Sequence, residues 1–499
     1  MGLTIRFFNY MILKYQSDKK GGTAMVVPSP SNRRSKPVWT LGLTSIAFFM
    51  VALDSLVVVT ALPAIHRDLG ASLTTLEWTM NAFTLAFAAG IITAAALGDQ
   101  LGRRRLFILG LLLFSLASAA CALAPSASLL IGARAVQGIS AAMIMPVSLT
   151  LLASAFPPER RGTVVGIWGG IGGLAVASGP LVGGTVTQGL DWHWIFWVNV
   201  PIGIVAALLA AAVLAESYGP ATRLDLPAAV LASGGAIAIV WGLVRSGDVG
   251  WTNLQVIGSL IGGAVLIAAF LAWERGAIDP MLPLRLFRSS AFAAANLTAF
   301  LMAGALFSAA FLISQYFQFG LGYSPLETGL RLLPWTATPL IISPLAGLVS
   351  DRIGRRPLLV SGLLLQGIGL AWIASLASVS AGYYQFLAPF IIAGVGVSMA
   401  LPIASTAVIS AVHPSDIGKA SGVNSTLQRF GSAFAVAIAA AVFAAYGHLG
   451  APASFTAGFK PALAVVAGLS VLGAISALAI TGRPLAASQQ PAVAMKVPA

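Results

Sequence analysis

From residue 38 onward the chain is a near-continuous series of apolar stretches, each about twenty residues long, which is the length needed to cross a bilayer as a helix. Such a segment satisfies its own backbone hydrogen bonds, so helical spans are the structure it can adopt in lipid. The stretches fall at 38–62, 76–97, 106–124, 128–154, 163–188, 195–215, 226–245, 254–273, 291–316, 329–349, 358–378, 385–410, 419–445 and 461–481. Short charged or Gly/Pro-marked segments separate them and leave no room for a soluble domain. Composition agrees: 58% of residues are hydrophobic and 9% are charged, with a mean hydropathy of +0.90. A soluble protein carries about 25% charged residues, so this chain would expose large apolar patches to water. Its abundance of Leu, Ile, Val and Phe excludes disorder. A membrane β-barrel would alternate polar and apolar residues in short segments, which this chain does not do. The expectation is an all-α polytopic membrane protein with fourteen spans.

Lys and Arg outnumber Asp and Glu by 28 to 15, a net +13. In a soluble chain that excess would suggest nucleic acid. Here its distribution points to the membrane instead, because Lys and Arg are retained on the cytoplasmic side. With the N-terminus inside, cytoplasmic segments hold 22 basic residues and outer segments hold 4: Arg67, Arg245, Arg331 and Lys460. Both termini are therefore expected in the cytoplasm. Residues 1–37 read as a basic cytoplasmic tail without a cleavable signal, and 482–499 as a second tail. The single cysteine, Cys121, has no intrachain disulfide partner, and the four histidines lack ligand spacing. No P-loop or nucleophile elbow is present, so the sequence points away from an enzyme and implies no metal or cofactor.

The loop after the second span reads Gly98-Asp99-Gln100-Leu101-Gly102-Arg103-Arg104-Arg105, and that after the tenth Asp351-Arg352-Ile353-Gly354-Arg355-Arg356-Pro357. Both contain Asp-x-x-Gly-Arg-Arg. Two copies after spans two and ten imply six repeated helices with two more between the halves. The expected organisation is 6+2+6: a six-helix bundle over 38–215, two extra helices and their linkers over 216–290, and a second bundle over 291–481. An acid at one helix end can pair with the loop arginines and cap the next helix, latching two helix ends together.

Of the 15 acidic residues, Asp54 is the one clearly inside a span, while Glu77, Asp225 and Glu274 sit at span ends. Burial disfavours a charged carboxyl and a neighbouring arginine offsets that. Such a group can exchange a proton when water reaches it from alternate sides. Arg134 lies within the fourth span, where an arginine costs about 2.5–3.5 kcal/mol and should face the interior with a partner. A structural Asp54–Arg134 pair without a transport role remains the alternative. Gly169-Gly170-Ile171-Gly172-Gly173, followed by Ser178-Gly179-Pro180-Leu181-Val182-Gly183-Gly184, gives the fifth span a small-residue face and a kink.

Taken together these motifs resemble the Major Facilitator Superfamily, and within it the fourteen-helix drug:proton antiporters of the EmrB/QacA type. Asp99, Gly102, Arg103 and Arg104 match the signature loop, with Asp351, Gly354, Arg355 and Arg356 as its second copy. Ala95 and Gln100 depart from the usual Gly and basic residue. Arg134-Ala135-Val136-Gln137-Gly138 is similar to the helix-four motif, and Gly172, Gly179, Pro180, Gly183 and Gly184 to the antiporter motif. Leu53-Asp54 leading to Ala61-Leu62-Pro63 resembles the first-helix motif, with Val59 where Asn is usual.

The resemblance implies a proton-coupled efflux antiporter in a bacterial inner membrane, with two bundles rocking around a midplane site. Asp54 and Arg134 would handle the proton. Its partners would be protons, membrane lipids and a small lipophilic or cationic substrate, with no nucleic acid. A dedicated metabolite or antibiotic exporter, an importer of the same fold and a transport-inactive receptor remain open at this point.

Overall fold

The computed structural model describes residues 37–219, 225–277, 280, 282, 284–413 and 416–480, and its regular elements are all helical. Nearly all of both tails thus lies outside the described residues. The helices are α1 (Pro37–Leu69), α2 (Leu73–Leu101), α3 (Arg103–Ala122), α4 (Ala127–Ala155), α5 (Pro158–Gly189) and α6 (Trp194–Val213, interrupted at Val198). They continue as α7 (Leu226–Val249), α8 (Leu254–Gly276), α9 (Ser290–Gln315, extended by a π-helical turn Tyr316–Gly320) and α10 (Pro325–Thr336 with Thr338–Ile353). The last four are α11 (Arg355–Leu376), α12 (Tyr384–Ser410), α13 (Ile417–Tyr446) and α14 (Pro452–Ala477). Among the described residues thirteen are long and apolar enough to span a membrane, and α2, bent by 51°, makes fourteen.

The helix starts follow local chemistry. Ser72, Ser126, Asp225, Asn253 and Ser289 each accept a hydrogen bond from a first-turn amide, and Ser324 forms a reciprocal capping box with Glu327. Asp225 also accepts from the indole of Trp273 on α8 at 3.0 Å, so its carboxylate ties the two extra helices together.

Packing repeats with an offset of eight helices. α1 lies on α5 as α9 lies on α13, α2 on α4 as α10 on α12, and α3 on α6 as α11 on α14. The halves meet through α5 with α10 and α2 with α13, while α7 rests on both α2 and α13. Each half has an aromatic core: Phe83, Phe87, Phe107 and Phe114 in the first, and Tyr316, Phe317, Phe386 and Phe390 in the second.

Several boundaries differ from the sequence expectation. α14 begins at Pro452, a residue suited to a first helical turn, which carries Lys460 inside the helix. Arg67 likewise lies within α1, beyond the expected end at residue 62. The tenth span is two helices that break at Ala337, just ahead of Pro339, which lacks an amide hydrogen.

The repeated loop folds alike in both copies. Gly102 (φ +106°) and Gly354 (φ +86°) end one helix and begin the next, in a backbone region that favours glycine. Asp99 pairs with Arg103 at 2.9 Å but does not cap α3. That role falls to Glu216, in the segment after α6, whose Oε1 accepts from the Arg104 amide at 2.9 Å. The same segment accepts from the Arg103 amide through the Ser217 carbonyl (2.9 Å) and donates from Gly219 to the Asp99 carbonyl (3.1 Å). The Arg104 guanidinium donates to the Ala211 carbonyl. A Cβ on Gly102 would lie 2.7 Å from the Glu216 carboxylate. The side chain of Asp351 lies outside the described residues, so the second copy's acid has no account here. Arg355 is half-buried and Arg356 exposed.

Glu216→Ala removes the acceptor over the start of α3. The expected loss is about 1–3 kcal/mol, read as a lower thermal midpoint of the purified protein. An unchanged midpoint would show that this strap does not hold the loop.

Candidate functional site

Asp54 and Arg134 meet in the interior of the first six helices, both 1% exposed. Arg134 Nη1 donates to Asp54 Oδ2 at 2.5 Å and to Gln137 Oε1 at 2.7 Å. The other carboxylate oxygen, Oδ1, accepts from Gln137 Nε2 at 2.9 Å and from Asn199 Nδ2 at 3.0 Å. Three donors thus surround the carboxylate, which is the pattern that suits an anion. The second shell closes around them. Gln137 also donates to Ser118 Oγ at 2.8 Å, Arg134 Nε donates to the Thr79 carbonyl at 3.1 Å, and the Phe83 ring lies 4.3 Å under the guanidinium. Cys121 sits beside this network, its thiol 3.7 Å from Gln137 Oε1.

Five helices build the cluster, and each residue is presented for a local reason. Arg134 and Gln137 are three apart on α4 and so share a face. Gly138, next along, lets the α2 backbone approach: a Cβ there would lie 2.2 Å from the Phe83 carbonyl oxygen. The antiporter-motif glycines do the same for α1. Cβ atoms would meet Phe48 at Gly172 (2.1 Å), Leu56 at Gly179 (2.7 Å) and Thr60 at Gly183 (2.3 Å). Gly172, Gly179 and Gly183 therefore seat α5 along the stretch of α1 that carries Asp54. Gly184 faces the other half, where a Cβ would lie 2.3 Å from the Pro325 carbonyl of α10. In return, Gly329 of α10 abuts the Pro180 carbonyl at 2.5 Å.

Three hydrogen bonds join the halves at the same end of the bundle. Ser314 and Gln318 of α9 donate to the Val59 and Thr60 carbonyls of α1 (3.3 and 3.0 Å), and the Leu326 amide donates to Gln188 (3.1 Å). This is the end opposite the repeated Asp-x-x-Gly-Arg-Arg loops. Beside it, between α5 and α6, partial burial raises the Asp191 carboxyl, but hydrogen bonds from His193 outweigh this and hold it below its ordinary range.

The structure brings Asp54, Arg134 and Gln137 together and sets Gly138, Gly172, Gly179 and Gly183 against the helices that carry the cluster, while Gly184 meets α10. The loop residues Asp99, Gly102, Arg103 and Arg104 form a separate site at the opposite end. Asn199 and Ser118 complete the Asp54 network. Neither carries a signal in the sequence that points toward Asp54.

The Major Facilitator Superfamily model matches residues 44–335 and 295–497. The tetracenomycin C resistance and export protein of Streptomyces glaucescens is 34% identical over 82% of this chain and 76% of its own length. The multidrug resistance protein Stp of Mycobacterium tuberculosis is 35% identical over 82% and 76%. The cephamycin export protein CmcT of Amycolatopsis lactamdurans is 34% identical over 88% and 91%. Among solved structures, peptide transporter POT in complex with sulfate superposes with a TM-score of 0.64 at 18% identity, covering 89% of this chain and 94% of that one. At that identity the likeness concerns the fold. Spans, family match and relatives agree: the chain is a multi-pass cell-membrane transporter rather than an enzyme, and it belongs to the Major Facilitator Superfamily.

Proposed function

We propose that this protein exports small lipophilic molecules, drugs or antibiotics among them, in exchange for protons by alternating access. The observation that carries the reading is the sealed Asp54 network. A fully buried carboxylate held by Arg134, Gln137 and Asn199 meets solvent only when these helices rearrange. Protonation would withdraw the negative charge from Arg134, and the buried pair would have to open. A proton arriving at Asp54 thereby biases the bundle toward a different packing, which is what coupling requires.

Residues 38–215 and 291–481 serve as the two moving bundles, with 216–290 as the extra helices and their linkers. The closed end is built from α5 against α10 and α1 against α9, so release there requires those contacts to part. The export relatives support efflux as the direction. Protons are the proposed coupling ion, the membrane lipids the surrounding solvent, and both termini are placed in the cytoplasm. Impermeant labelling at each terminus checks that placement, and an externally labelled C-terminus would contradict it.

Asp54→Asn keeps the side-chain shape and an acceptor oxygen. Arg134 retains the Thr79 carbonyl, Gln137 Oε1 and the Phe83 ring, so the fold should survive. In proteoliposomes the variant should lose gradient-driven efflux and keep substrate counterflow. Uphill pumping at the wild-type rate would make Asp54 structural.

Gly179→Leu forces α5 away from Leu56, beside Asp54, while Pro180→Ala removes only a kink. Both variants should insert normally, with the larger transport loss at Gly179. Undiminished efflux by Gly179→Leu would reduce the glycines to generic packing.

A further inference from the structure

Two arginines lie deep within spans, and they differ in how their charge is met. Arg134 is closed by Asp54. Arg429, near the middle of α13, is half-buried and has neither an ion pair nor a side-chain hydrogen bond among the described residues. Its guanidinium lies 4.3 Å from the centroid of the Phe87 ring on α2 and so reaches across the seam between the two halves. Phe87 packs edge-on against Phe83 (5.8 Å, 72°), and Phe83 is the ring under Arg134. One aromatic pair on α2 thus carries a neutralised arginine at one end and an uncompensated one at the other.

The orientation of Arg429 follows from its neighbours on α13. Gly431 abuts α9, where a Cβ would lie 2.3 Å from the Phe300 carbonyl. Phe430, Ala433, Phe434 and Ala437 cluster with Ala236 and Val240 of α7. At about 100° per residue, Arg429 is turned roughly 160° from Gly431 and roughly 100° from Phe430. It therefore faces α2 and the interior between the halves, away from both α9 and the outer helix α7.

An arginine in a span costs about 2.5–3.5 kcal/mol on insertion scales. A cation–π contact returns about 0.5–2 kcal/mol, which leaves much of that cost standing. Asp54 does not supply the rest, because its carboxylate is paired with Arg134 and already engaged by three donors. Arg429 is also mid-span, beyond the reach of lipid headgroups. Its planar fork can lie over Phe87 and still present N–H groups along its edge, the geometry that grips a carboxylate in two places.

We propose that Arg429 is the anion-recognising residue of the substrate site, and that preferred substrates are lipophilic acids or zwitterions with an anionic group on an apolar body. This rests on the transport reading above and gives it a substrate class. It also replaces a cationic preference: a free carboxylate would draw cations, but Asp54 is occupied and Arg429 is not.

The test uses the full chain in lipid nanodiscs and two xanthene dyes of similar size, fluorescein as the acid and a cationic rhodamine ester, with binding read by fluorescence anisotropy. Wild type should bind fluorescein more tightly than the ester. Arg429→Gln should weaken fluorescein by about tenfold or more, the scale of a lost charged hydrogen bond, with the ester little changed. Arg429→Lys should retain most fluorescein binding, which also guards against misfolding of the Gln variant. A wild-type preference for the ester, or equal losses of both dyes in Arg429→Gln while Arg429→Lys binds normally, would overturn the proposal. Flux in proteoliposomes separates the two claims. Fluorescein bound through Arg429 but never exported would sink efflux and leave the site. Ester export with fluorescein binding indifferent to Arg429 would sink the site and leave efflux.

Discussion

A buried carboxylate and a buried guanidinium in one bundle constrain everything packed around them. Truncating either partner to alanine would leave an unpaired charge with no replacement hydrogen bond, at a cost of about 3–5 kcal/mol, whereas the intact pair is close to neutral for stability. Asp54 and Arg134 therefore add little as a stabilising device. They do fix geometry. α1, α2, α3, α4 and α6 must all sit where Asp54, Thr79, Ser118, Arg134, Gln137 and Asn199 reach one another. The glycines of α5 and Gly138 of α4 answer that demand by letting backbones approach where a Cβ would collide.

The same glycines connect the charged cluster to the closed end of the molecule. Gly179 and Gly183 face α1 at Leu56 to Thr60, just past Asp54, while Gly184, the next residue, faces α10 of the other half. A shift of α1 that follows a change at Asp54 would be felt by α5 and so by its crossing with α10. α1 also bears the carbonyls that receive Ser314 and Gln318 from α9. At the opposite end, Glu216 binds the α2–α3 loop to the linker before α7, and Arg285 pairs with Asp416 at 2.6 Å to bind the linker after α8 to the start of α13. Each extra-helix linker is thus anchored to a different half.

Much of this was legible in the sequence, because burying charge in lipid is costly and leaves a mark. Asp54 and Arg134 stand out in apolar runs, and their pairing follows from that cost. The fourteen spans and the repeated loop follow from length and spacing. Neutral polar residues leave no such mark: nothing in the order of residues shows Ser118 or Asn199 turning toward Asp54. Glu216 lies in a polar linker where an acid is unremarkable, so the sequence alone points to Asp99 for the cap over α3. Arg67 and Lys460 lie just beyond the apolar runs 38–62 and 461–481, yet both are inside helices, because long charged side chains at helix ends extend toward water. The break in the tenth span turns on how the chain accommodates Pro339, which periodicity alone does not show.

The central claim is that protonation of Asp54 and substrate binding favour different packings of the two bundles. Its most direct test is proton release, read with a pH indicator when substrate is added to the purified transporter in weakly buffered solution. Substrate should release protons from the wild-type protein across the pH range in which it transports, and none from Asp54→Asn at matched occupancy. Equal release from both would place the exchanging group elsewhere and contradict the account.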